Sequence, residues 1–214
     1  ELNFELFKEV INEITRFGSL VRFIGCDEPM LYSNIVNAIQ YVKDKGLLLH
    51  ITTNGSLLND KMTQVIVNTK VDSVIFSFQG FSEKEYCIMR NVKKEMYYKV
   101  MRNIKKLHDA RKRKRPHIKI TTTITERDLP EHRKEFINKH MPYVDEIQVS
   151  GFTHFMRLEK QFEMKKVWKK LHISRPDKVD RSYCHVPNYD MIVKEDGHVY
   201  LCCGALSEDL AIGD

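Results

Sequence analysis

The sequence predicts an α/β fold, a parallel sheet covered by helices and either open or closed into a barrel. Three observations lead there. Short runs rich in β-branched and aromatic residues alternate with stretches of helical periodicity, the pattern of successive βα units. The runs opening at Leu20, Leu47 and Val74 start at even spacing, as units of similar length do. These runs are mostly apolar, as parallel strands buried under helices are, and right-handed crossovers then limit how they connect.

Taken in order, Phe4, Phe7, Val10, Ile11, Ile14 and Phe17 recur at helical spacing, and Gly18 is a natural stop for that helix. Residues 20–24, Leu-Val-Arg-Phe-Ile, are too short for a helix and read as a buried strand that delivers Asp27 and Glu28 to a rim. Gly25 permits a turn or a close backbone approach, and Pro29 biases Glu28 toward an extended conformation. Ser33 is the expected N-cap of a helix over 34–45, closed by lysines and Gly46. Residues 47–52 form the next strand, running into Thr53-Asn54-Gly55, and Asn59 caps a helix to about residue 70. A third strand at 74–78 passes into Gln79-Gly80. A helical region over 82–114 is broken near Asn91, and residues 118–124 form a strand. Pro130 opens a helix ending near His140. Residues 145–149 make a fifth strand ending in Ser150-Gly151.

In such folds the ligand lies at the C-terminal ends of the strands. Those ends carry Asp27 and Glu28, Thr53 and Asn54, Ser77 and Gln79, Thr123 and Thr125, then Gln148 and Ser150. Loops are polar in any protein, but polar groups at all five strand ends on one rim predict a site for a polar small molecule.

A chain of 214 residues is long enough for one substantial domain, burying roughly 70% of its unfolded surface. With 42% hydrophobic and 30% charged residues it has the composition of a soluble globular protein, and no apolar run suits a membrane span. The net charge of +6 traces largely to residues 93–119, densest in Arg-Lys-Arg-Lys-Arg at 111–115. That run is expected to be a solvated helix end stopped by Pro116, or else a contact for phosphate or an acidic partner. No aromatic residue interleaves it, which argues against a single-strand nucleic-acid site. Five cysteines and no secretory leader point to thiols or metal ligands in a reducing compartment, the cytoplasm.

Beyond Gly151 the pattern changes. A mixed basic and aromatic segment holds Trp168, Arg157, Lys165, Lys166 and Lys169, read as a solvated helix face or a contact for an acidic substrate. A polar linker follows, then Cys184 and two alternating runs around Glu195-Asp196-Gly197, a strong hairpin signal, leading to Cys202 and Cys203. The spacing Cys184-x12-Gly197-x4-Cys202 lets a hairpin bring Cys184 and Cys202 to one zinc ion or iron-sulfur cluster. Alternation along a strand sets Cys203 on the opposite face from Cys202 unless the strand ends between them. Buried apolar cysteines are the alternative.

With these residues in view the chain resembles the radical S-adenosylmethionine enzymes, in particular those with a C-terminal SPASM or twitch extension for auxiliary clusters. Gly25-Cys26-Asp27-Glu28-Pro29 is similar to the family's Gly-Gly-Glu-Pro turn, Thr53-Asn54-Gly55 to its Thr-Asn-Gly strand end, and Ser77-Phe78-Gln79-Gly80 to the strand end near the ribose and methionyl carboxylate. The cysteine spacing is similar to the opening of the SPASM pattern. The resemblance implies a partial (β/α)6 TIM-like barrel over 1–152 lacking its first strand, a connecting helix and linker over 153–182, and the start of a Cys-bearing β-hairpin module over 183–214. It implies S-adenosylmethionine bound by Gly25, Cys26, Asp27, Glu28, Thr53, Asn54, Ser77, Gln79 and Thr123. It also implies a catalytic [4Fe-4S] cluster, and an auxiliary [4Fe-4S] cluster with Cys184, Cys202 and Cys203 as ligands.

Two departures stand out. The family's C-x3-C-x2-C cluster loop is absent from the sequence, which is expected to be an excerpt cut at both ends, and Cys26-Asp27 replaces a glycine pair. The implied reaction is reductive cleavage of S-adenosylmethionine to a 5'-deoxyadenosyl radical that takes hydrogen from substrate. The substrate would be a peptide or protein under maturation, or a sugar or aminocyclitol being dehydrogenated or epimerised, with flavodoxin or ferredoxin as electron donor. A non-catalytic S-adenosylmethionine-binding barrel and a zinc-bearing RNA-associated protein are the rival expectations.

Overall fold

The computed structural model describes residues 1–24, 27–123, 130–150, 190–201 and 211–213. Five strands, β1 (Leu20–Phe23), β2 (Leu48–Thr53), β3 (Ser73–Ser77), β4 (His117–Thr123) and β5 (Glu146–Ser150), form one parallel sheet in sequence order. Helices α1 (Phe4–Thr15), α2 (Ile35–Asp44), α3 (Asp60–Asn68), α4 (Glu83–Arg90), α5 (Lys94–Ala110) and α6 (Pro130–His140) precede β1 and fill the connections. Strand order that never reverses, joined by crossovers of one hand, keeps the helices on one face and gives the arc of a TIM-like barrel rather than a doubly wound sheet.

Register explains the arc's two faces. Ile51, Val74 and Ile118 lie side by side, as do Thr53, Phe76 and Ile120 one step on. All but Thr53 are apolar, and all six are buried against Ile39, Val42, Ile66, Ile104 and Leu107 of the helices. Each such aliphatic residue contributes roughly 1.5–3 kcal/mol by leaving water. The alternate residues, Arg22, His50, Thr52, Ser77, Lys119, Thr121 and Gln148, line the concave face. The sheet is therefore apolar under the helices and largely polar within the arc, where Ile75 and, at the N-terminal strand ends, Leu20 and Leu48 are the apolar members.

Two carboxylates clamp the strands at their N-terminal ends in the same way. Asp72, just before β3, accepts the Leu49 amide of β2 at 2.9 Å and Lys43 of α2 at 2.5 Å. Asp145, just before β5, accepts the Ile118 amide of β4 at 2.8 Å and pairs with Arg111 after α5. Burial works to raise both acids, but these bonds outweigh it and hold each below the ordinary aspartate range.

Apart from the end of α5, the strands and helices fall within a residue or two of their predicted bounds, and the break at Asn91 is a left-handed residue with φ 52° that closes α4. Asn59 caps α3 as the sequence suggests, accepting from the Met62 amide, and Ser82 caps α4, accepting from the Glu85 amide. Three expectations are corrected. The first strand is not buried: β1 is the edge of the sheet, with Leu20 42% exposed, because among the described residues only β2 pairs with it. Ser33 does not cap α2; its hydroxyl donates to Glu1, and Asn34 stands at the N-cap position without a side-chain bond to the helix backbone. The 111–115 run is not a helix end. α5 stops at Ala110, Arg111 is extended, and residues 112–115 form a tight turn with Arg113 and Lys114 at φ 52° and 57°.

The expected hairpin is present as β6 (Ile192–Val193) and β7 (Val199–Tyr200), antiparallel, with Gly197 at φ 91° in the turn. It packs beside the β1 edge, where Asp190 pairs with Arg22 and Leu6 approaches Gly197. Cys184, Cys202 and Cys203 lie outside the described residues, as do Gly25 and Cys26.

Candidate active site at the strand ends

The C-terminal rim is organised by Glu28. Its backbone is extended ahead of a 3-10 turn, Pro29–Leu31, as Pro29 requires, and only 9% of the residue is exposed. Three donors converge on its carboxylate. Thr53 Oγ1 donates to Oε1 at 2.6 Å and Met30 N to the same oxygen at 3.3 Å, while Asn54 N donates to Oε2 at 2.7 Å. The loop after β1 is thereby pinned to the end of β2, and the anion is oriented before any ligand arrives. Asp27 beside it is exposed, so the two carboxylates of the predicted pair have separate fates.

Thr53 is 1% exposed, and its hydroxyl, spent on Glu28, also accepts the Gly55 amide at 2.9 Å. It faces the helices and supports the rim from behind. Asn54 folds its own side chain back to accept the Ser56 amide at 2.8 Å. Gly55 has φ 77°, and a Cβ there would lie 2.9 Å from the Phe76 ring. Buried Asn103 of α5 donates to its carbonyl at 2.8 Å. Gly80 after β3 is tighter still, with φ 78° and an added Cβ only 2.5 Å from Glu85 Cβ; Thr122 Oγ1 donates to its carbonyl at 2.8 Å.

Sequence reasoning missed Arg90. Carried on α4, its guanidinium donates to the Ser77 carbonyl and, at 3.0 Å, to Ser77 Oγ, and its buried Nε has no partner among the described residues. Burial pulls its pKa down, while Tyr86 and the Glu28 carboxylate push it back up, so the cation and the anion of the rim act on one another. A half-buried arginine eight residues beyond Ser82 leaves no mark in a polar helix of balanced charge; its place beside Ser77 depends on how α4 folds back over β3. Gln79 and Thr123 are half-buried on the same rim, and Gln148 and Ser150 end β5. Of the predicted rim residues, Glu28, Thr53 and Asn54 are thus joined by hydrogen bonds and Ser77 is held by Arg90, while Thr125 lies outside the described residues.

The Radical SAM superfamily matches residues 1–140, well over half the chain. The chain belongs to the radical SAM superfamily. A segment of 79 residues is 32% identical to the tungsten-containing aldehyde ferredoxin oxidoreductase cofactor-modifying protein of Pyrococcus furiosus, covering 36% of this chain and 22% of that protein. Streptococcus suis SuiB bound to S-adenosylmethionine superposes with a TM-score of 0.71 at 13% identity, over 98% of this chain and 55% of SuiB. SuiB bound to its precursor peptide SuiA gives a TM-score of 0.70 at 13% identity, over 96% and 54%. BtrN in complex with AdoMet and 2-DOIA gives 0.51 at 12% identity, over all of this chain and 65% of BtrN. The matched segment is thus about a fifth of the curated relative, and the chain spans about half of SuiB; at these identities the superpositions show the radical SAM barrel fold.

Among the described residues no three His, Cys, Asp or Glu side chains are placed to share a metal ion. Cys87, the one described cysteine, packs partly buried against the core, and burial with Glu83 and Glu95 pushes its thiol up, away from the thiolate a ligand needs.

Proposed function

We propose that this rim binds S-adenosylmethionine by its amino-acid end, with Glu28 taking the ammonium and Arg90 with Ser77 taking the carboxylate. The observation that carries the reading is a pinned, buried anion on the same rim as a half-buried arginine whose buried Nε is unpartnered among the described residues. A zwitterion satisfies both, each through a charge-assisted bond of about 1.5–3 kcal/mol. Asn54, Gln79 and Thr123 extend the polar rim toward the sugar, and Gly25, Cys26 and Asp27 are further proposed contacts of the cofactor. A reduced [4Fe-4S] cluster, if bound, would supply the electron for cleaving the cofactor to methionine and a radical source for hydrogen abstraction. What this chain's residues do is bind, orient and shield; none of the described residues holds the cluster.

Maturation of a peptide or protein is the reading we favour for substrate, since SuiB, of like fold, is seen with a precursor peptide; oxidation of an aminocyclitol is second. Cys184, Cys202 and Cys203 on the hairpin module, residues 183–214, are proposed ligands of an auxiliary cluster, which makes the class an oxidoreductase served by an acidic electron donor such as flavodoxin or ferredoxin. Calorimetry with S-adenosylmethionine tests the rim: Arg90→Gln is expected to weaken binding at least tenfold, and unchanged affinity would overturn the assignment. Anaerobic reconstitution followed by metal analysis tests the class; zinc in place of iron, or no deoxyadenosine on reduction, would sink it.

A further inference from the structure

The opposite end of the sheet, where the strands begin, has no part in the reading above. Arg16, Lys45, Lys70 and residues 112–115, which are Lys-Arg-Lys-Arg, are all exposed in the loops there. The acids at this end are fewer and mostly engaged: Asp72 and Asp145 are tied into the strand clamps, Asp72 also meeting Arg115 at 3.6 Å, while Asp109 pairs with Lys105 and Glu146 with Lys119, which leaves Asp44, bonded only to Gln40. Five helices end toward these loops, and their C-terminal dipoles offset roughly 2.5 positive charges at about half a charge each. The cations exceed that. A second observation is independent of charge. α1 and α2 close with Gly18 and Gly46 at φ 62° and 73°, but α3 closes at the matching place with Lys70 at φ 57°. With Arg113 and Lys114, three of the four non-glycine residues at positive φ among the described residues are cations at this end. Each costs on the order of 1 kcal/mol against glycine. Beside them, register partners Leu20 and Leu48 are 42% and 53% exposed on the concave side, and Phe17 is 70% exposed.

We infer that this end of the barrel docks an acidic polypeptide segment carrying apolar side chains. Leu20, Leu48 and Phe17 give it apolar anchors, which a phosphate backbone would leave unused, and the cations ring them as a polar rim rings an interface core. A second copy of the chain would bring the same positive end, and residues 151–189 hold nine Lys or Arg against four Asp or Glu, so neither complements it.

Fluorescence anisotropy tests this with three labelled probes of equal charge: a peptide alternating glutamate and leucine, polyglutamate, and a single-stranded RNA. The glutamate-leucine peptide is expected to bind tightest, and more weakly as salt is raised. The double variant Arg113→Asn with Lys114→Gly suits the turn better than the native pair, so it should keep or raise the thermal midpoint while weakening the peptide about tenfold. Leu48→Thr should weaken the peptide but not polyglutamate. No binding, equal affinity for polyglutamate, tighter binding of RNA, or a double variant that binds as before would each overturn the inference. None of these variants touches the rim, so S-adenosylmethionine affinity serves as an unchanged control.

Discussion

Replacing Glu28 with glutamine changes one atom and sets three donors against a side chain with one acceptor. In the native rim Oε1 takes Thr53 Oγ1 and Met30 N, and Oε2 takes Asn54 N. A glutamine oxygen can serve one side; its amide group then faces a donor on the other. Thr53 cannot escape by turning away, because its oxygen also accepts the Gly55 amide at 2.9 Å. One charge-assisted bond lost and one buried donor left facing another donor costs about 2–3 kcal/mol. For a chain of this size that lowers the thermal midpoint by roughly 4–10 °C. Thermal unfolding by circular dichroism reads the first effect, and calorimetry on the folded variant below its transition reads loss of S-adenosylmethionine affinity, expected at tenfold or more. A midpoint within a degree of native would refute the convergence of donors. A lowered midpoint with unchanged affinity would show that the carboxylate only holds the loop, and the cofactor assignment would fall.

Other consequences can be measured separately. His140 is 1% exposed among Phe136 and Phe78, with ring centroids 4.2 and 5.6 Å away, and burial, helped by Lys139, lowers its pKa to about 4. Its neutral form is favoured by folding, so its contribution is complete above the unfolded value near 6.5 and is lost as pH falls toward 4. Up to about 3 kcal/mol goes over that window, and His140→Phe should flatten the dependence in urea unfolding. The depressed Asp72 and Asp145 act lower, with stability present above the unfolded value and lost only as pH drops through their folded values; Asp145→Asn should remove about 1.5–3 kcal/mol at neutral pH. Gly80→Ala meets Glu85 Cβ at 2.5 Å and an unfavourable φ, and is expected to cost about 2 kcal/mol or more, whereas Gly46→Ala, in open space, loses only the conformational part; equal midpoints for the two would show that Gly80 is not crowded.

The parallel α/β class, the order of helices and strands, the Asn59 cap, the break at Asn91 and the Gly197 hairpin could all be read along the chain, because each rests on periodicity or on a residue whose local chemistry points one way. The polar rim was legible for the same reason: its residues follow their strands directly. Arg90 was not, since it reaches Ser77 only when α4 lies over the end of β3, and a basic residue in a polar helix reads the same whether buried or free. The 111–115 run misled because charge suits a helix terminus and a turn equally, and only the pairing of Arg111 with Asp145 fixes where α5 stops.

The sequence by itself determined the repeat of strand and helix and the identity of the groups at each strand end, since backbone preference and side-chain period act over a few residues. Tertiary structure alone decided which of those groups are spent and which are left for a ligand. Thr53 turns inward to hold Glu28, Asp27 turns outward, and Glu28 and Arg90 come to influence one another, because partners distant in sequence meet only when the sheet curls.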